Sequence, residues 1–354
     1  MSISLSSDLT REYREYERTS TAVLDAYIKP IFDSYVDELD GELREDGFEG
    51  SFFLTRSGGG ALAADAAKEM PIHTIMSGPA GGLIGASFVG ESTGHDDLIA
   101  ADIGGTSTDT CVVQDGSPLV EHEATIGTHP MMIPSYDIRT IGSGGGSIAW
   151  LDGGLLKVGP KSAGADPGPI CYGQGGTEPT VTDAAVLLGY IDPETFVGGE
   201  MTLDVAAAES GVEERLADPL DMTVPEACQG VFDVMAADII NAINEITVER
   251  GLDPRDFGVL AYGGAGPLLM PIVAREMDVE AVIVPPAPGV FSAWGMLLAD
   301  VVYDFARTQI LPVSETDLAT LDDEFDAMAR PVVVDGRRIV SRRDGLTYEG
   351  LTWE

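Results

Sequence analysis

The segment 102–109 has the residue pattern in this chain that is best suited to chemistry. Its sequence, DIGGTSTD, places two glycines and a run of hydroxyl residues directly after an apolar stretch that predicts a strand. Glycines let backbone N–H groups approach an anion closely, and hydrogen bonds to a charged group contribute roughly 1.5–3 kcal/mol each. The pattern favours a phosphate-binding loop, with the candidate residues Gly104, Gly105, Thr106, Ser107 and Thr108.

Two aspartates bound this segment and are candidates for catalysis. A carboxylate next to a phosphate repels it unless the carboxylate holds Mg²⁺ or a water molecule. Asp102 is therefore a candidate Mg²⁺ ligand as well as a candidate catalytic residue, and Asp109 is the second catalytic candidate. The alternative for the whole segment is a tight β-hairpin whose glycines only provide backbone freedom.

Two further glycine-rich segments, 142–147 and 263–266, resemble ligand-binding turns. The second lies between a buried strand and a helix, and the N-terminus of a helix attracts anions. Each segment can also be an ordinary turn, so both interpretations stay open. The candidate nucleotide-binding residues in these segments are Gly144, Gly145, Gly263, Gly264, Ala265 and Gly266.

Two other residues are candidates for contact with a substrate. Cys171 lies in the segment 159–179, which is rich in glycine and proline, although a buried small thiol is the alternative. Asp183 stands at the start of a predicted helix, where it can face a cleft or, like Thr182, cap the helix. Neither G-x-x-x-x-G-K-[ST] nor G-x-G-x-x-G occurs, which excludes a P-loop enzyme and weighs against a Rossmann dinucleotide site.

Alternating strands and helices must position these loops, which predicts an α/β fold. The chain becomes more polar from about residue 311, so we predict a domain over 1–311 and the beginning of a second module over 312–354. Pro30 predicts a kink or a break in a helix over 20–43. The other main predicted elements are strands at 72–76, 98–101, 110–114 and 257–262, a turn at 77–82, and helices at 83–91, 182–188, 204–217, 225–250 and 266–277.

The net charge of −39 comes from 59 acidic and 20 basic residues. Because 44 % of the residues are hydrophobic, we expect an acidic shell around a normal core, as in proteins from a salt-rich cytoplasm. The absence of a basic patch excludes nucleic acid as a partner. The N-terminal residues lack the apolar segment of a signal peptide, and prolines interrupt the uncharged stretch 281–299, so we expect no membrane span and a cytoplasmic location.

Several segments together resemble the hydantoinase A / 5-oxoprolinase family. The resemblance covers roughly residues 5–310, and its motifs are REYERTSTAVLDAYIKP (14–30), SGPAGGLIGA (77–86), DIGGTSTD (102–109), IGSGGGSIAW (141–150), DPGPICYGQGGTEPTVTDA (166–184), GGAGPLLMPIVAREM (263–277) and VIVPPAPGVFSAWGMLLADVVYD (282–304).

This resemblance implies an actin/hexokinase/Hsp70-like (ribonuclease H-like) ATPase fold. The segment 102–106 would then form the second phosphate loop, and 263–266 the adenosine loop. Relatives carry a further N-terminal lobe with the first phosphate loop, so we expect only part of the two-lobed cleft, with both ends truncated. Leu269 stands where relatives often have a histidine.

The resemblance also implies a function: ATP- and Mg²⁺-dependent hydrolysis of a small cyclic amide, by phosphorylation of the ring carbonyl. Its implied partners are a hydantoinase B-type subunit and a separate polypeptide that supplies the N-terminal lobe. One alternative is a subunit of an ATP-dependent ketone carboxylase of the acetone type. Another is a non-catalytic nucleotide-binding or assembly protein.

Overall fold

A computed structural model describes residues 3–121 and 123–302, and the backbone of 332–334 and 347–349. Contacts divide the chain into two compact units. The larger comprises Gly81–Leu119 and Tyr136–Leu297, and the smaller comprises the described residues of Met1–Ala80, Val120–Ser135 and Leu298–Glu354. The predicted boundary at 311 lies outside the described residues, as does the predicted module at 312–354 except for those two short strands.

The described helices and strands come partly in runs along the chain, with ten strands in succession before four helices. The described α-helices are α1 (Ser6–Leu9), α2 (Glu15–Glu45), α3 (Ala64–Glu69), α4 (Ser77–Thr93), α5 (Val181–Leu187), α6 (Val205–Val212), α7 (Asp218–Leu220), α8 (Val224–Ile246), α9 (Gly266–Met277) and α10 (Phe291–Met296). The described strands are β1 (Phe53–Thr55), β2 (Ala61–Ala63), β3 (Leu98–Ile103), β4 (Thr108–Gln114), β5 (Ser117–Pro118), β6 (Val120–Glu121), β7 (Ala124–Ile126), β8 (His129–Met131), β9 (Ser135–Tyr136), β10 (Arg139–Ile141), β11 (Ser147–Asp152), β12 (Leu155–Ser162), β13 (Gly258–Tyr262), β14 (Val282–Ile283), β15 (Val332–Val334) and β16 (Thr347–Glu349).

The larger unit is built on a sheet with the strand order β10-β4-β3-β13-β14. Strands β3, β4 and β10 form an antiparallel meander, whereas β13 pairs parallel to β3 and β14 parallel to β13. Because β3 and β13 run in the same direction, the loops that follow them leave the sheet at the same edge. Asp102 on β3 has two direct neighbours in the sheet, Asp109 on β4 and Tyr262 on β13.

Both faces of this sheet are covered, because successive side chains of β3 point to opposite sides. Ile99 and Ala101 belong to a large core with residues of α5, α8 and α9. Leu98 and Ala100 belong to a second core that includes Leu83 of α4 and Phe291 of α10. This layered arrangement confirms the predicted α/β class.

The smaller unit contains the long helix α2, which packs against β8 and the short 3-10 turn Pro71–Thr74. The carboxylate of Asp25, which is fully buried, accepts a hydrogen bond from the backbone N–H of Ile72 at 3.1 Å. Pro30 lies within this single helix on its exposed side, where the carbonyl that lacks a helical partner can bind water. The chain therefore forms one continuous helix instead of two abutting ones.

The predicted strand at 72–76 and the predicted turn at 77–82 are wrong. Residues Pro71–Thr74 form the 3-10 turn, and α4 begins at Ser77 and includes the whole glycine-rich motif. The glycines serve close packing and not a turn: a Cβ on Gly85 would lie 2.9 Å from the ring of Phe291, and one on Gly295 would lie 2.9 Å from the backbone nitrogen of Gly85. Bare backbone on both sides lets α4 and α10 come this close.

Asp183 is the centre of a buried hydrogen-bond cluster at the start of α5. Its carboxylate accepts bonds from the backbone N–H groups of Cys171 (2.7 Å), Ile170 (3.2 Å) and Thr180 (2.9 Å), and from the hydroxyl of Thr180 (2.8 Å). The residue that caps the helix is Thr180, with Asp183 completing a capping box, so the cap predicted at 182 or 183 lies two or three residues earlier. The carboxylate ties the loop around Cys171 to α5.

We expect Asp183→Asn to lower the free energy of unfolding by about 2–4 kcal/mol. The side-chain amide nitrogen of asparagine is itself a hydrogen-bond donor. It would face N–H and O–H groups that donate to a carboxylate oxygen in the wild type. Thermal and urea unfolding followed by circular dichroism measures the change. The matched control is Asp204→Asn at the exposed start of α6, where one bond to Ala207 N is made and asparagine caps as well as aspartate. Equal effects of the two substitutions would contradict the central role of Asp183.

Candidate functional site

Three glycine-rich loops lie together at the edge of the central sheet where β3 and β13 end. The first loop joins β3 to β4, as predicted for segment 102–109. It is a tight turn in which the backbone N–H of Gly104 donates to the carbonyl of Ser107 at 3.0 Å. Gly105 and Thr106 at its tip are exposed residues.

The second loop, 142–147, is hydrogen-bonded directly to the first. The N–H groups of Gly145 and Gly146 donate to the carbonyls of Gly104 (3.0 Å) and Gly105 (2.6 Å). A Cβ on Gly144 would lie 2.7 Å from the carbonyl oxygen of Gly104, a distance that real Cβ atoms do not tolerate. The two loops can approach this closely only because glycine occupies position 144.

Side chains on neighbouring elements fix the second loop in place. The hydroxyl of Thr108 donates to the carbonyl of Ser143 at 2.5 Å. Both the backbone N–H and the hydroxyl of Thr182 donate to the carbonyl of Gly145 at 2.8 Å. Through these bonds β4 and the first turn of α5 hold the loop from two sides.

The third loop, 263–266, lies against the end of β3. The backbone N–H of Ala265 donates to the carbonyl of Ile103 at 2.8 Å. Gly263 has a φ of +80°, and a Cβ there would collide with Oδ1 of Asp102 and the carbonyl of Ile103. Glycine is required at this position for both reasons. The neighbouring Gly264 is exposed, and a Cβ there would meet nothing within 4 Å.

Exposed main-chain groups from two of these loops therefore share one edge of the sheet. Gly105 and Gly264 each have open space where a side chain would be. The start of α9 adds little to these groups, because Pro267 has no N–H and the N–H of Leu268 donates to the carbonyl of Ala265. Among the described residues, the backbone N–H groups of Gly105 and Gly264 have no hydrogen-bond acceptor. Such an arrangement of free amides suits an anion with several oxygens, as in a phosphate chain.

Asp102 and Asp109 lie directly opposite each other on β3 and β4, on the same face of the sheet. A serine hydroxyl, that of Ser292, donates to Oδ2 of Asp102 at 2.9 Å, and the hydroxyl of Thr140 donates to Oδ1 of Asp109 at 2.6 Å. Burial raises the pKa of both carboxyls above the ordinary value; for Asp102 the Ser292 bond lowers it and the charge of Asp109 raises it further. A pair of carboxylates in a position where burial disfavours their ionisation is typical of functional sites.

Asp102 is suited to the predicted role of Mg²⁺ ligand. The described residues contain no group of three or more histidine, cysteine, aspartate or glutamate side chains that could hold a metal by themselves. Mg²⁺ does not need such a group, because it commonly binds one or two carboxylates and takes its other ligands from phosphate and water. One carboxylate beside exposed amides fits this requirement.

The two substrate candidates lie inside the larger unit and not at the loop edge. The side chains of Asp183 and Cys171 are fully buried. Burial and the neighbouring Asp183 carboxylate hold the pKa of the Cys171 thiol far above its ordinary value, so the thiol stays protonated at neutral pH. The residue of this segment that reaches the loops is Thr182, through Gly145.

Three residues that contact the site were missed by the sequence analysis. Ser292 and Thr140 each bind an aspartate, and Thr182 binds the second loop. The motif 282–304 contains Ser292, but nothing in the sequence relates it to a residue 190 positions earlier. The uncharged stretch 281–299 forms β14, a 3-10 turn and α10. No described helix is long and apolar enough to cross a membrane.

Comparison with known proteins identifies relatives over most of the chain. It is 36 % identical over 315 residues to the caprolactamase subunit alpha of Pseudomonas jessenii, covering 89 % of this chain and 44 % of the relative. It is 36 % identical over 354 residues to the acetophenone carboxylase gamma subunit of Aromatoleum aromaticum, covering 99 % and 48 %. The chain thus spans about half the length of these curated relatives.

Solved structures share the fold. The ATP-dependent caprolactamase from Pseudomonas jessenii matches with a TM-score of 0.75 and 35 % identity, covering 84 % of this chain and 43 % of that one. A nucleotide-free acetone carboxylase matches with a TM-score of 0.75 and 31 % identity, covering 83 % and 42 %. These matches and the strand order of the central sheet agree with the predicted α/β fold.

The family model for hydantoinase/oxoprolinase proteins matches residues 18–305, which include all three glycine-rich loops and both aspartates. The chain belongs to the hydantoinase/oxoprolinase family.

Proposed function

We propose that this chain is the nucleotide-binding part of an ATP-dependent enzyme that hydrolyses small cyclic amides, of the hydantoinase and 5-oxoprolinase type. The observation that carries the proposal is the meeting of three glycine-rich loops at one edge of the sheet, beside Asp102: the first two are hydrogen-bonded to each other, and the third to the end of β3. The similarity to an ATP-dependent caprolactamase supports it. Because the chain spans about half of these relatives, the activity of the whole enzyme belongs to this proposal.

The chemistry explains why such a reaction needs ATP. A ring amide is a poor electrophile, because its nitrogen donates electron density to the carbonyl. Transfer of the γ-phosphoryl group to the carbonyl oxygen, with release of ADP, makes the carbon open to attack by water. The ring C–N bond then breaks as the nitrogen takes up a proton, and a second water releases phosphate from the acyl phosphate. The products are the open-chain amino carboxylate, ADP and phosphate.

In this proposal the chain's own residues bind and orient the phosphates. The exposed backbone at Gly105 and Gly264 provides donors that need no rearrangement, which favours charge developing on the transferred group. Gly145 donates a hydrogen bond to the first loop, and the bare backbone of Gly144 lets the second loop pack against it. Asp109, whose carboxylate accepts a hydrogen bond from Thr140, would orient a water molecule.

Mg²⁺ would be held by Asp102, and when bound it would neutralise charge on the phosphates. Ser292 keeps one oxygen of this carboxylate engaged, so that the other is available to a ligand.

An ATP-dependent ketone carboxylase is the second candidate function. The relatives that favour it are the acetophenone carboxylase gamma subunit and the acetone carboxylase structure. Measurement of ATP hydrolysis by the purified complex distinguishes the two functions. Stimulation by cyclic amides in the absence of bicarbonate supports the hydrolase, whereas a requirement for both a ketone and bicarbonate supports the carboxylase. ATP binding with neither activity supports a nucleotide-binding or assembly protein.

The proposed partners are a hydantoinase B-type subunit and a separate polypeptide with the N-terminal lobe. The similar proteins from Pseudomonas and Aromatoleum are themselves subunits. A stripe along α2 supports a partner surface, because large uncharged side chains on it are 60–75 % exposed in a chain of net charge −39. The stripe comprises Tyr16, Val23, Tyr27, Ile31 and Tyr35.

We also propose a salt-rich cytoplasm as the protein's environment. The excess of 39 negative charges supports it, since mutual repulsion at low salt destabilises a compact chain. The Debye length falls from about 8 Å at physiological ionic strength to about 3 Å at 1 M, so molar salt screens this repulsion.

Mg·ATP binding tests the nucleotide site. Titration calorimetry in multimolar KCl is expected to detect binding, and Asp102→Asn is expected to weaken it at least roughly tenfold, or about 1.4 kcal/mol. The raised pKa of Asp102 means that the ionised carboxylate destabilises the folded state at neutral pH. The neutral amide introduced by the substitution removes this cost, so we expect an unchanged or higher melting temperature, and lost binding cannot then reflect unfolding.

The matched control for that titration is Asp152→Asn, on the exposed end of β11, which should bind as the wild type does. No binding by the chain, alone and with the N-terminal lobe polypeptide added, would refute the nucleotide site.

Assembly tests the partner surface. Tyr27→Glu combined with Ile31→Glu should abolish co-purification with the B-type subunit, because two charges would be buried in the interface. The melting temperature should change little, since both side chains are exposed. Leu155→Glu, equally exposed on β12, is the control and should assemble normally. Retained assembly of the double variant would rule out this stripe as the interface.

Salt dependence tests the environment. We expect the melting temperature to rise between about 0.2 and 2 M KCl, steeply at first and then levelling off as screening becomes complete. Sucrose at matched water activity serves as the control and should not reproduce the steep part. A melting temperature that is flat in KCl would count against adaptation to high salt.

A further inference from the structure

Ser292 makes a hydrogen bond that joins two distant motifs of the family. It is the second residue of α10, and its hydroxyl donates to Oδ2 of Asp102, 190 positions earlier in the chain, at 2.9 Å. The bond lies in a partly buried place at the end of β3. It ties the motif 282–304 to the carboxylate at the loop edge.

This bond determines which oxygen of the carboxylate faces the third glycine-rich loop. With Oδ2 held by Ser292, Oδ1 lies against the backbone of Gly263, where a Cβ would collide with it. Rotation of the carboxylate would break the hydroxyl bond and push against this backbone. The orientation of Asp102 is therefore set by contacts on two sides.

The position of Ser292 in turn depends on bare backbone in α4. A Cβ on Gly82 would lie 2.9 Å from Oγ of Ser292 and 2.6 Å from the hydroxyl oxygen of Tyr262. Tyr262 is fixed by its ring contact with Phe291, at 4.8 Å between centroids. A methyl group at position 82 must displace the serine hydroxyl, the tyrosine or the helix itself.

We propose that Ser292 is a positioning residue that orients Asp102 toward the metal-bound nucleotide, and that position 82 is glycine so that the serine hydroxyl can stand there. The inference rests on the proposed nucleotide function, because the orientation of Asp102 matters to the reaction only if this carboxylate binds Mg²⁺. It gives a specific role to residues of two motifs, 77–86 and 282–304.

The first experiment compares nucleotide binding by two pairs of variants. Ser292→Ala and Gly82→Ala are each expected to weaken Mg·ATP binding roughly tenfold in titration calorimetry, as expected for loss of a bond to a charged group. The matched controls are Ser210→Ala, an exposed serine on α6, and Gly78→Ala, a position in α4 where a Cβ meets nothing within 4 Å. Both controls should bind as the wild type does.

A second readout separates positioning from a general loss of structure. Replacing Mg²⁺ with Mn²⁺ allows the electron paramagnetic resonance spectrum of the protein-bound Mn·ATP complex to report the metal's ligand environment. Ser292→Ala should change this spectrum at saturating nucleotide, and Ser292→Thr, which keeps the hydroxyl, should restore both spectrum and affinity.

A third readout needs no nucleotide. Ser292→Ala should change the melting temperature when it is introduced into the wild type. The change should be much smaller when the same substitution is introduced into the Asp102→Ala variant, because the acceptor of the serine bond is then absent.

The outcomes separate this inference from the proposed function. If the wild type binds no Mg·ATP, with or without the N-terminal lobe polypeptide, the nucleotide function fails and this inference fails with it. If the wild type binds but Ser292→Ala has unchanged affinity and spectrum, only the inference is overturned. Additive melting shifts in the Asp102→Ala background would likewise overturn it.

Discussion

The candidate site depends on hydrogen bonds between the main chains of loops that have almost no side chains. Gly145 and Gly146 donate to the carbonyls of Gly104 and Gly105, and Ala265 donates to the end of β3. Because a Cβ on Gly144 would lie 2.7 Å from a carbonyl oxygen of the first loop, this contact exists only with glycine there. The loops therefore form a preorganised surface whose donors are fixed before any ligand arrives.

The same arrangement places charge where it costs stability. Asp102 and Asp109 are direct neighbours on the adjacent strands β3 and β4, and burial raises the pKa of both carboxyls. Ser292 and Thr140 offset part of this cost by donating to one oxygen of each carboxylate. Asp25 and Asp183 are buried more completely, but the carboxylate of each accepts backbone N–H bonds that compensate for the burial.

Predictions from sequence were confirmed where a residue pattern has only one structural explanation. The hairpin around 104–107, the long helix α8 and the β13–α9 turn all follow from apolar periodicity or from glycines at strand ends. The motif 77–82 was wrongly predicted as a turn, because glycine signals either a positive φ or a close approach of two helices. Only the neighbouring α10, whose Gly295 meets Gly85, decides between these.

The sequence by itself determined the family, the α/β class and the glycines that the site requires, since these depend on residue type and local spacing. The tertiary structure decided which groups meet: Ser292 with Asp102, Thr182 with Gly145, and Asp183 with buried backbone amides. The reason is that hydrogen bonds act over about 3 Å in space, whatever the separation along the chain. A hydroxyl 190 positions away leaves no periodic trace near the carboxylate that it binds.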